Sequence, residues 1–287
     1  VSLDCFRLRD GISSWNDGDY DFDVSGWICA ALCRGVKEMD LRLYNFGNVL
    51  PVFFTCHSLV NLTLDAIGSE IVVPSDVCLV NLKTFYLIES IVVCDSINRL
   101  ISNCHVLEDL AFLDCSFGNA SELNIQSPLL KELTLSYCYL IDIDHVVVIN
   151  APNLVYFRYE GEIVKVHHLS NMKSLEKAYC VLFGSETSAS YLIQGICNKD
   201  AGARWKALCI KIPSCLSFHL KEIEIEISCI DTYMIKMVSY LLDNTMVLER
   251  LIIISTDRLT TTAEKKKVRN QLLLLLKSPK KCLIVIL

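Results

Sequence analysis

Leucine residues recur along this chain at spacings that fit neither an amphipathic helix nor a simple alternating strand. In SPLLKELTLSYC, residues 127–138, apolar side chains stand at Leu130, Leu133 and Leu135, and Cys138 follows three positions later. An amphipathic helix requires apolar residues at i, i+3, i+4 and i+7, whereas a half-buried strand requires strict alternation. This segment therefore indicates a short strand with a fixed turn on either side of it.

The same pattern occurs in frame along much of the chain. Its second apolar position falls at Leu41, Leu62, Phe85, Leu110, Leu133, Phe157 and Ala178. The gaps between these positions are 21, 23, 25, 23, 24 and 21 residues. A period of about 20–29 residues with this leucine spacing is the signature of leucine-rich repeats, so the sequence predicts a solenoid of stacked units.

Strand alternation decides which side chains face the core of the predicted solenoid. Leu133 and Leu135 are expected to point inward, and Glu132 and Thr134 outward, because successive strand residues project to opposite faces. A single unit cannot bury its own apolar face, so each unit has to stack on its neighbours. The predicted fold is an α/β leucine-rich-repeat solenoid, with a curved parallel sheet on its concave side and helices and loops on its convex side.

The chain divides into three predicted regions. Residues 1–36 form an N-terminal capping segment, residues 37–184 carry the leucine-rich repeats, and residues 185–287 form a C-terminal module that continues and closes the sheet. A convex-side helix is expected at residues 95–104, where the apolar positions follow a helical period. A helix within residues 23–36 is expected to cap the stack, and its core face would consist of Val24, Trp27, Ile28, Ala31 and Leu32.

The C-terminal module departs from the repeat period. Strands are predicted around Leu208, Ile223 and Leu251, and the gaps between them no longer keep the earlier spacing. Helices are predicted at about residues 232–243 and 263–277. The last six residues, CLIVIL, are expected to form a buried terminal strand.

Composition and charge restrict the classes of protein and partner. Hydrophobic residues make up 52% of the chain and charged residues only 21%, which excludes general disorder. The formal net charge of −6 argues against nucleic acid as the main partner, because binding to phosphates requires clustered Lys and Arg. No apolar run approaches the roughly 20 residues that cross a bilayer, so no membrane segment is expected.

Cysteine usage indicates the compartment. The chain has 15 cysteines, an odd number, scattered without paired spacing. Cys115, Cys138 and Cys180 are assigned to the small buried position of their repeats. We expect reduced structural thiols and hence a cytoplasmic or nuclear protein, because disulfides persist mainly in oxidising compartments.

Few segments suggest chemistry. Neither DIDH at residues 142–145 nor the pair His167 and His168 has the number of ligands that a metal site requires. The chain also lacks the glycine-rich phosphate-binding motifs and the serine-hydrolase motif. We therefore expect no metal, no cofactor and no catalytic activity.

Several longer motifs resemble plant F-box/FBD/leucine-rich-repeat proteins. The repeat region of that family opens with a segment of the type found here as WICAALCRGVKEMDLRL, residues 27–43. Its SPxLKxLxLxxC motif resembles residues 127–138, and its APNL stands at residues 151–154. Residues 215–287 resemble the C-terminal FBD module. The resemblance covers nearly the whole chain in the family's order.

The resemblance implies a role in ubiquitin ligation. In that family the F-box docks on the adaptor subunit of a cullin ubiquitin ligase, and the repeats are thought to hold the protein to be modified. Nothing in residues 1–22 resembles an F-box, so we expect a fragment or trimmed chain that does not bind the adaptor by itself. The resemblance implies the substrate-recognition region of an F-box subunit, which we expect to be monomeric. Two other functions stay open, an F-box-less scaffold or decoy and an enzyme with an unrecognised site.

Alternation also selects candidate partner-binding residues on the concave face. Tyr and Arg are enriched at binding hot spots, and three glutamates at alternate positions favour a basic partner segment. The alternative is that these polar side chains only keep an exposed sheet soluble. The candidates are Arg42, Tyr44, Thr63, Tyr86, Glu132, Thr134, Tyr156, Arg158, Tyr179, Glu222, Glu224 and Glu226.

Overall fold

The structure is a computed structural model, and it describes most of the predicted repeats and part of the C-terminal region. The described residues are 3–9, 23–43, 50–118, 122–140, 146–162, 166–170, 172–183, 218–227, 232–255 and 282–287, with the single positions 266, 270 and 274.

A parallel sheet of eleven strands is the main element of the described chain. In spatial order, its strands are β1 (Cys5–Arg9), β2 (Glu38–Arg42), β3 (Asn61–Asp65), β5 (Thr84–Ile88), β7 (Asp109–Leu113), β10 (Glu132–Ser136), β13 (Tyr156–Glu162), β15 (Lys177–Phe183), β16 (Glu222–Ile227), β17 (Arg250–Ser255) and β18 (Leu283–Ile286). Every neighbouring pair is parallel, as a chain that returns to the same side after each turn requires. The predicted leucine-rich-repeat fold is confirmed.

Two smaller parallel sheets and four helices complete the described elements. One sheet contains β4 (Glu70–Ile71), β6 (Ile91–Val93), β8 (Ser116–Gly118) and β11 (Tyr139–Leu140), and the other contains β9 (Glu122–Gln126), β12 (Val146–Asn150) and β14 (Val166–Ser170). The helices are α1 (Val24–Cys33), α2 (Leu50–Phe53), α3 (Cys94–Asn103) and α4 (Thr232–Asn244). No helix among the described residues is both long enough and apolar enough to cross a membrane.

The register of the main sheet shows where the predicted repeat frame is right and where it is wrong. From the second repeat onward, the residues at the predicted second apolar position of each repeat pair with one another in one continuous row. Ile223, Leu251 and Ile284 extend that row. In the first repeat, however, Met39 and not Leu41 pairs with Leu62 of the second repeat. Both are buried on the same face because they lie two positions apart, so the pattern could not separate them.

Buried leucines, isoleucines and phenylalanines from both smaller sheets and from the main sheet form one apolar cluster. Helix α3 contributes Ile97 and Leu100, which are fully buried, as predicted for the convex-side helix. Helix α4 likewise buries Val238. No repeat contains a complete core of its own, so burial depends on stacking.

The N-terminal end of the stack differs from the prediction. Helix α1 forms as predicted and buries Ile28, Ala31 and Leu32, but Trp27 remains 46% exposed. Strand β1, and not the helix, is the outermost element, and it pairs with β2 through five residue pairs. Residues preceding the first repeat therefore supply an edge strand, which the irregular sequence before Asp23 did not suggest.

The C-terminal end also requires corrections. The final strand, β18, is an edge strand and not a buried one. Its Leu283 is 58% exposed, and the other side chains of the strand are only partly buried. The strand predicted around Leu208 and nearly all of the helix predicted at 263–277 lie outside the described residues. Strands β15 and β16 pair directly with each other, so the sheet is continuous where the regular period ends.

A repeated turn follows three central strands of the main sheet. Glu89, Asp114 and Tyr137 occupy equivalent positions and have φ near +50°, the left-handed region. Their backbone N–H groups donate to carbonyl oxygens of the next repeat at 2.6–2.9 Å. These hydrogen bonds satisfy the backbone as the chain leaves the sheet, which offsets the cost of a left-handed non-glycine residue.

The residue after each left-handed position is small, and its side chain donates to a backbone carbonyl. The Cys115 thiol donates to the Leu87 carbonyl at 3.3 Å, and the Cys138 thiol donates to the Phe112 carbonyl at 3.4 Å. Burial raises the pKa of the Cys115 thiol to about 12, which keeps it protonated. The assignment of Cys180 to this position was wrong, because it is in register with Tyr159 inside a strand. All eleven cysteines that lie within the described residues are free thiols.

We predict that inward positions dominate stability. Leu133 is fully buried, so Leu133→Ala should reduce the free energy of unfolding by about 2–5 kcal/mol through lost burial and a cavity. Thr134 lies on the opposite face and is only partly buried, so Thr134→Ala should cost less than about 1 kcal/mol. Urea unfolding followed by circular dichroism would measure both values. Equal unfolding midpoints would contradict the assigned register.

Candidate protein-binding face

The outward side chains of the main sheet form the candidate site, here called the concave face. Each full strand contributes three of them, and parallel pairing aligns these into three rows that run across the strands. Tyr44 lies outside the described residues. The structure places the other eleven predicted candidates on this face, namely Arg42, Thr63, Tyr86, Glu132, Thr134, Tyr156, Arg158, Tyr179, Glu222, Glu224 and Glu226.

The middle row brings most of the candidates together. Its order is Arg7, Asp40, Thr63, Tyr86, Ala111, Thr134, Arg158, Tyr179, Glu224, Ile252 and Val285. Neighbours in such a row lie about 4.8 Å apart, so their side chains contact one another or a shared partner. Six of these residues are predicted candidates, namely Thr63, Tyr86, Thr134, Arg158, Tyr179 and Glu224.

Two ion pairs occupy the N-terminal part of the concave face. Arg9 Nη2 lies 3.0 Å from Asp40 Oδ2, and Arg42 Nε lies 3.1 Å from Asp65 Oδ2. These side chains line a groove of about 340 Å³. Asp65 is only 8% exposed, and burial raises the pKa of its carboxyl although Arg42 opposes that shift. Opposite charges therefore cancel in this part of the face.

The central part of the concave face combines a rigid polar pair with apolar side chains. The Tyr86 hydroxyl donates a short hydrogen bond to Asp109 Oδ2. Burial raises the pKa of the Asp109 carboxyl, whereas the hydrogen bond from Tyr86 opposes that shift. The other outward positions of these same two strands hold Ile88, Ala111 and Leu113. Apolar contact area flanked by polar groups is the usual composition of a protein interface.

A connected network of polar side chains orders the C-terminal half of the concave face. The Ser136 hydroxyl donates to Glu160 Oε2, and Arg158 Nε donates to Glu160 Oε1 at 3.0 Å. The Arg158 guanidinium lies 4.5 Å from the centroid of the Tyr179 ring, which is a cation–π contact. The Tyr179 hydroxyl then donates to Glu226 Oε2 at 3.2 Å. The network spans four adjacent strands and fixes the orientation of the Arg158 and Tyr179 side chains.

Sequence reasoning missed two properties of this face. Asp65 and Glu160 lie at outward positions, yet they are buried by neighbouring side chains and by their arginine partners. The apolar outward positions, including Ile88 and Leu113, were also not selected. Strand alternation shows which residues point outward. Which of them are apolar neighbours, or are buried by neighbours, can be recognised only when the register of adjacent strands is known.

The described residues contain no group of three or more His, Cys, Asp or Glu side chains placed to hold a metal ion. Several ionisable side chains of the concave face are instead engaged in the ion pairs and the network described above. Their arrangement provides aromatic, cationic and anionic contact groups on a rigid sheet, which suits recognition of another macromolecule.

Comparison with known proteins identifies the family. A family model described as "FBD-associated F-box protein At5g56370, LRR repeats" matches residues 24–176, slightly more than half of the chain. The matched region extends from α1 to the last turn before β15. It therefore covers the repeats that form most of the concave face.

Curated relatives from Arabidopsis thaliana carry related names. The chain is 34% identical to the putative F-box/LRR-repeat protein At3g49150 over 58% of its own length and 28% of the relative's. It is 36% identical to the FBD-associated F-box protein At5g38590 over 62% of its length and 46% of the relative's. For the F-box/LRR-repeat protein At1g06630 the values are 32%, 70% and 49%. The chain thus spans less than half the length of each of these relatives, and it belongs to the leucine-rich-repeat family of FBD-associated F-box proteins.

Proposed function

We propose that this chain is the target-binding region of an F-box-type subunit of a cullin ubiquitin ligase, and that the concave face binds the target protein. The observation that carries the proposal is the ordered set of aromatic and charged side chains on one open sheet face. Family membership supports a protein-interaction role, and the names of the relatives connect that role with an F-box.

The dimensions of the concave face suit a protein partner. Eleven strands at intervals of about 4.8 Å give a length of roughly 48 Å, and three outward positions give a width of about 15 Å. The resulting area, on the order of 700 Å², approaches the roughly 800 Å² that each partner contributes to a standard protein interface. A small ligand would use only a fraction of this surface.

The proposed division of labour needs no reaction on this chain. An F-box elsewhere in the full-length protein would contact the ligase adaptor, and other subunits would carry out ubiquitin transfer. The concave face would hold the target within reach of that chemistry. Rigid pairs such as Tyr86 with Asp109 support this role, because preorganised side chains lose less conformational freedom on binding.

The organisation and location of the protein are part of the proposal. Residues 1–36 would serve as the N-terminal cap, 37–184 as the repeats, and 185–287 as an FBD module that continues and closes the sheet. The pairing of β16 with both β15 and β17 supports continuity of the sheet into that module. Free thiols in the described residues support a cytoplasmic or nuclear location, and we propose a monomer.

A scaffold or decoy without a ligase role is the alternative function. It would use the same concave face but would act without an adaptor. Co-purification of the ligase adaptor with the full-length gene product would support the ligase subunit. A full-length product that binds targets but never the adaptor would support the scaffold.

We predict that a bulky side chain at the centre of the concave face blocks target binding. Thr134→Arg adds volume and charge at a partly buried outward position without removing a contact of the core. Targets should be identified by affinity capture on the full-length protein, and their affinity should then fall at least tenfold in this variant.

The matched control is Val72→Arg, which adds the same charge at an exposed position next to β4, away from the main sheet. It should leave target affinity within about twofold of the parent. If Val72→Arg weakens binding and Thr134→Arg does not, the target binds elsewhere. Arg158→Ala is a less specific test, since it would leave the buried carboxylate of Glu160 without its cation.

A further inference from the structure

The groove at the N-terminal end of the concave face has the size of a small binding site. It is lined mostly by outward side chains of β1, β2 and β3, together with Ile88 of β5, and its volume is about 340 Å³. Ligand pockets in proteins measure roughly 300–1,000 Å³, so this groove lies at the lower end of that range. It can therefore hold one side chain of a partner with part of its backbone.

Two polar atoms of the groove, Asp65 Oδ1 and Arg42 Nε, have no hydrogen-bond partner among the described residues. Asp65 is only 8% exposed, and both atoms are shielded from solvent. Arg42 Nε lies 3.1 Å from Asp65 Oδ2, but its N–H bond is not directed at that oxygen, so this ion pair contains no hydrogen bond from Nε. A buried acceptor and a buried donor are thus unsatisfied side by side, which is uncommon in folded proteins.

The charges of the groove favour a neutral partner group. Its charged lining residues are three arginines and three acids, so their formal charges cancel. They are Arg7, Arg9, Arg42, Glu38, Asp40 and Asp65. An additional cation would be repelled by the arginines and an additional anion by the carboxylates. A neutral group avoids both repulsions, and its burial costs little once it is hydrogen-bonded.

A neutral group has to offer one donor and one acceptor to satisfy both atoms. The primary carboxamide of asparagine and glutamine carries an NH₂ donor and a carbonyl acceptor in one plane. Its N–H can donate to Asp65 Oδ1 while its oxygen accepts from Arg42 Nε. Register places Ile88 beside Asp65, and Ile88 is only partly buried, so the groove also has an apolar wall for the aliphatic stem of the partner side chain.

We propose that this groove binds a glutamine or asparagine side chain of the target protein through Asp65 and Arg42. The inference rests on the proposed function of the concave face and specifies the chemistry of one contact. Access requires movement of the Arg9 side chain, which is 69% exposed and lies next to Arg42 in register. No existing hydrogen bond of Asp65 Oδ1 or Arg42 Nε has to break, so satisfying these two atoms favours the bound state.

Nuclear magnetic resonance of the whole chain, labelled with nitrogen-15, tests the inference. The probes are N-acetyl-glutamine methylamide and its glutamate and methionine analogues, which share the same backbone amides and differ only in the side chain. The glutamine probe should shift the Arg42 Nε–H signal in a saturable way, at a concentration at least tenfold lower than either analogue requires. The signal is assigned by its disappearance in Arg42→Lys.

Two variants with the same chemical change separate the groove from general binding. Arg42→Lys keeps the charge that offsets Asp65 but removes the Nε donor, so it should weaken binding of the glutamine probe at least tenfold, as followed through the backbone amides of β2 and β3. Arg34→Lys makes the same change at the C-terminal end of α1, outside the groove, and should alter the affinity less than about twofold. Unfolding midpoints of both variants would verify that the fold is intact.

Two results would overturn the inference. Equal affinity for the three probes would mean that water alone satisfies the two buried atoms. Unchanged binding of the glutamine probe in Arg42→Lys would place that probe elsewhere on the chain.

The outcome remains distinguishable from failure of the proposed function. If Thr134→Arg abolishes capture of the natural target while Arg42→Lys leaves target capture intact, the concave face binds targets but the carboxamide contact is refuted. If neither variant affects target capture, the proposed use of the concave face fails as well.

Discussion

Parallel backbone pairing between successive repeats is the interaction on which the rest of the structure depends. A strand of five residues can bury its two inward side chains only if neighbouring strands cover them, so no repeat is stable alone. Pairing fixes the depth of every strand relative to the next, and the same hydrogen bonds place Leu133 in the core and Thr134 on the face. The core and the concave face are therefore two consequences of one register.

Left-handed turns after the strands extend this register beyond the sheet. Glu89, Asp114 and Tyr137 each direct an N–H group to the following repeat, and the small residue after each of them packs inward. The repeats are thus coupled at the end of the strand as well as along it. A change in one unit should propagate to its neighbours, because stability in such a stack is a sum of units and interfaces.

The elements that follow a regular period could be predicted from the sequence. The burial of outward residues and the positions of the edge strands could not, because they depend on neighbouring strands. The repeat frame from Leu62 onward, α3 and the outward candidates follow directly from spacing. The first anchor was assigned to Leu41 in place of Met39 because a two-residue shift keeps the same face. Burial of Asp65 and Glu160 depends on the side chains of neighbouring strands, and the edge positions of β1 and β18 depend on which strands pair outside them. None of these can be read from one segment.

The proposed binding role rests on the outward side chains of the main sheet. Its inward side supplies the core, while its outward side carries polar networks and apolar side chains such as Ile88 and Leu113, which are only partly buried. The network around Arg158 illustrates the principle, since internal pairing orders side chains across four adjacent strands. A binding surface of this kind needs no catalytic group and can change its specificity by outward substitutions that spare the core.

Hydrogen exchange measured by mass spectrometry tests the central claim that one register runs through the whole sheet. Stability in a stacked sheet is shared between neighbours, so amides within residues 132–136, 177–183 and 222–227 should exchange slowly and lose protection together as urea is added. That result would show that β16 belongs to the same cooperative unit as the regular repeats. Rapid exchange of residues 222–227 while residues 132–136 remain protected would contradict the account.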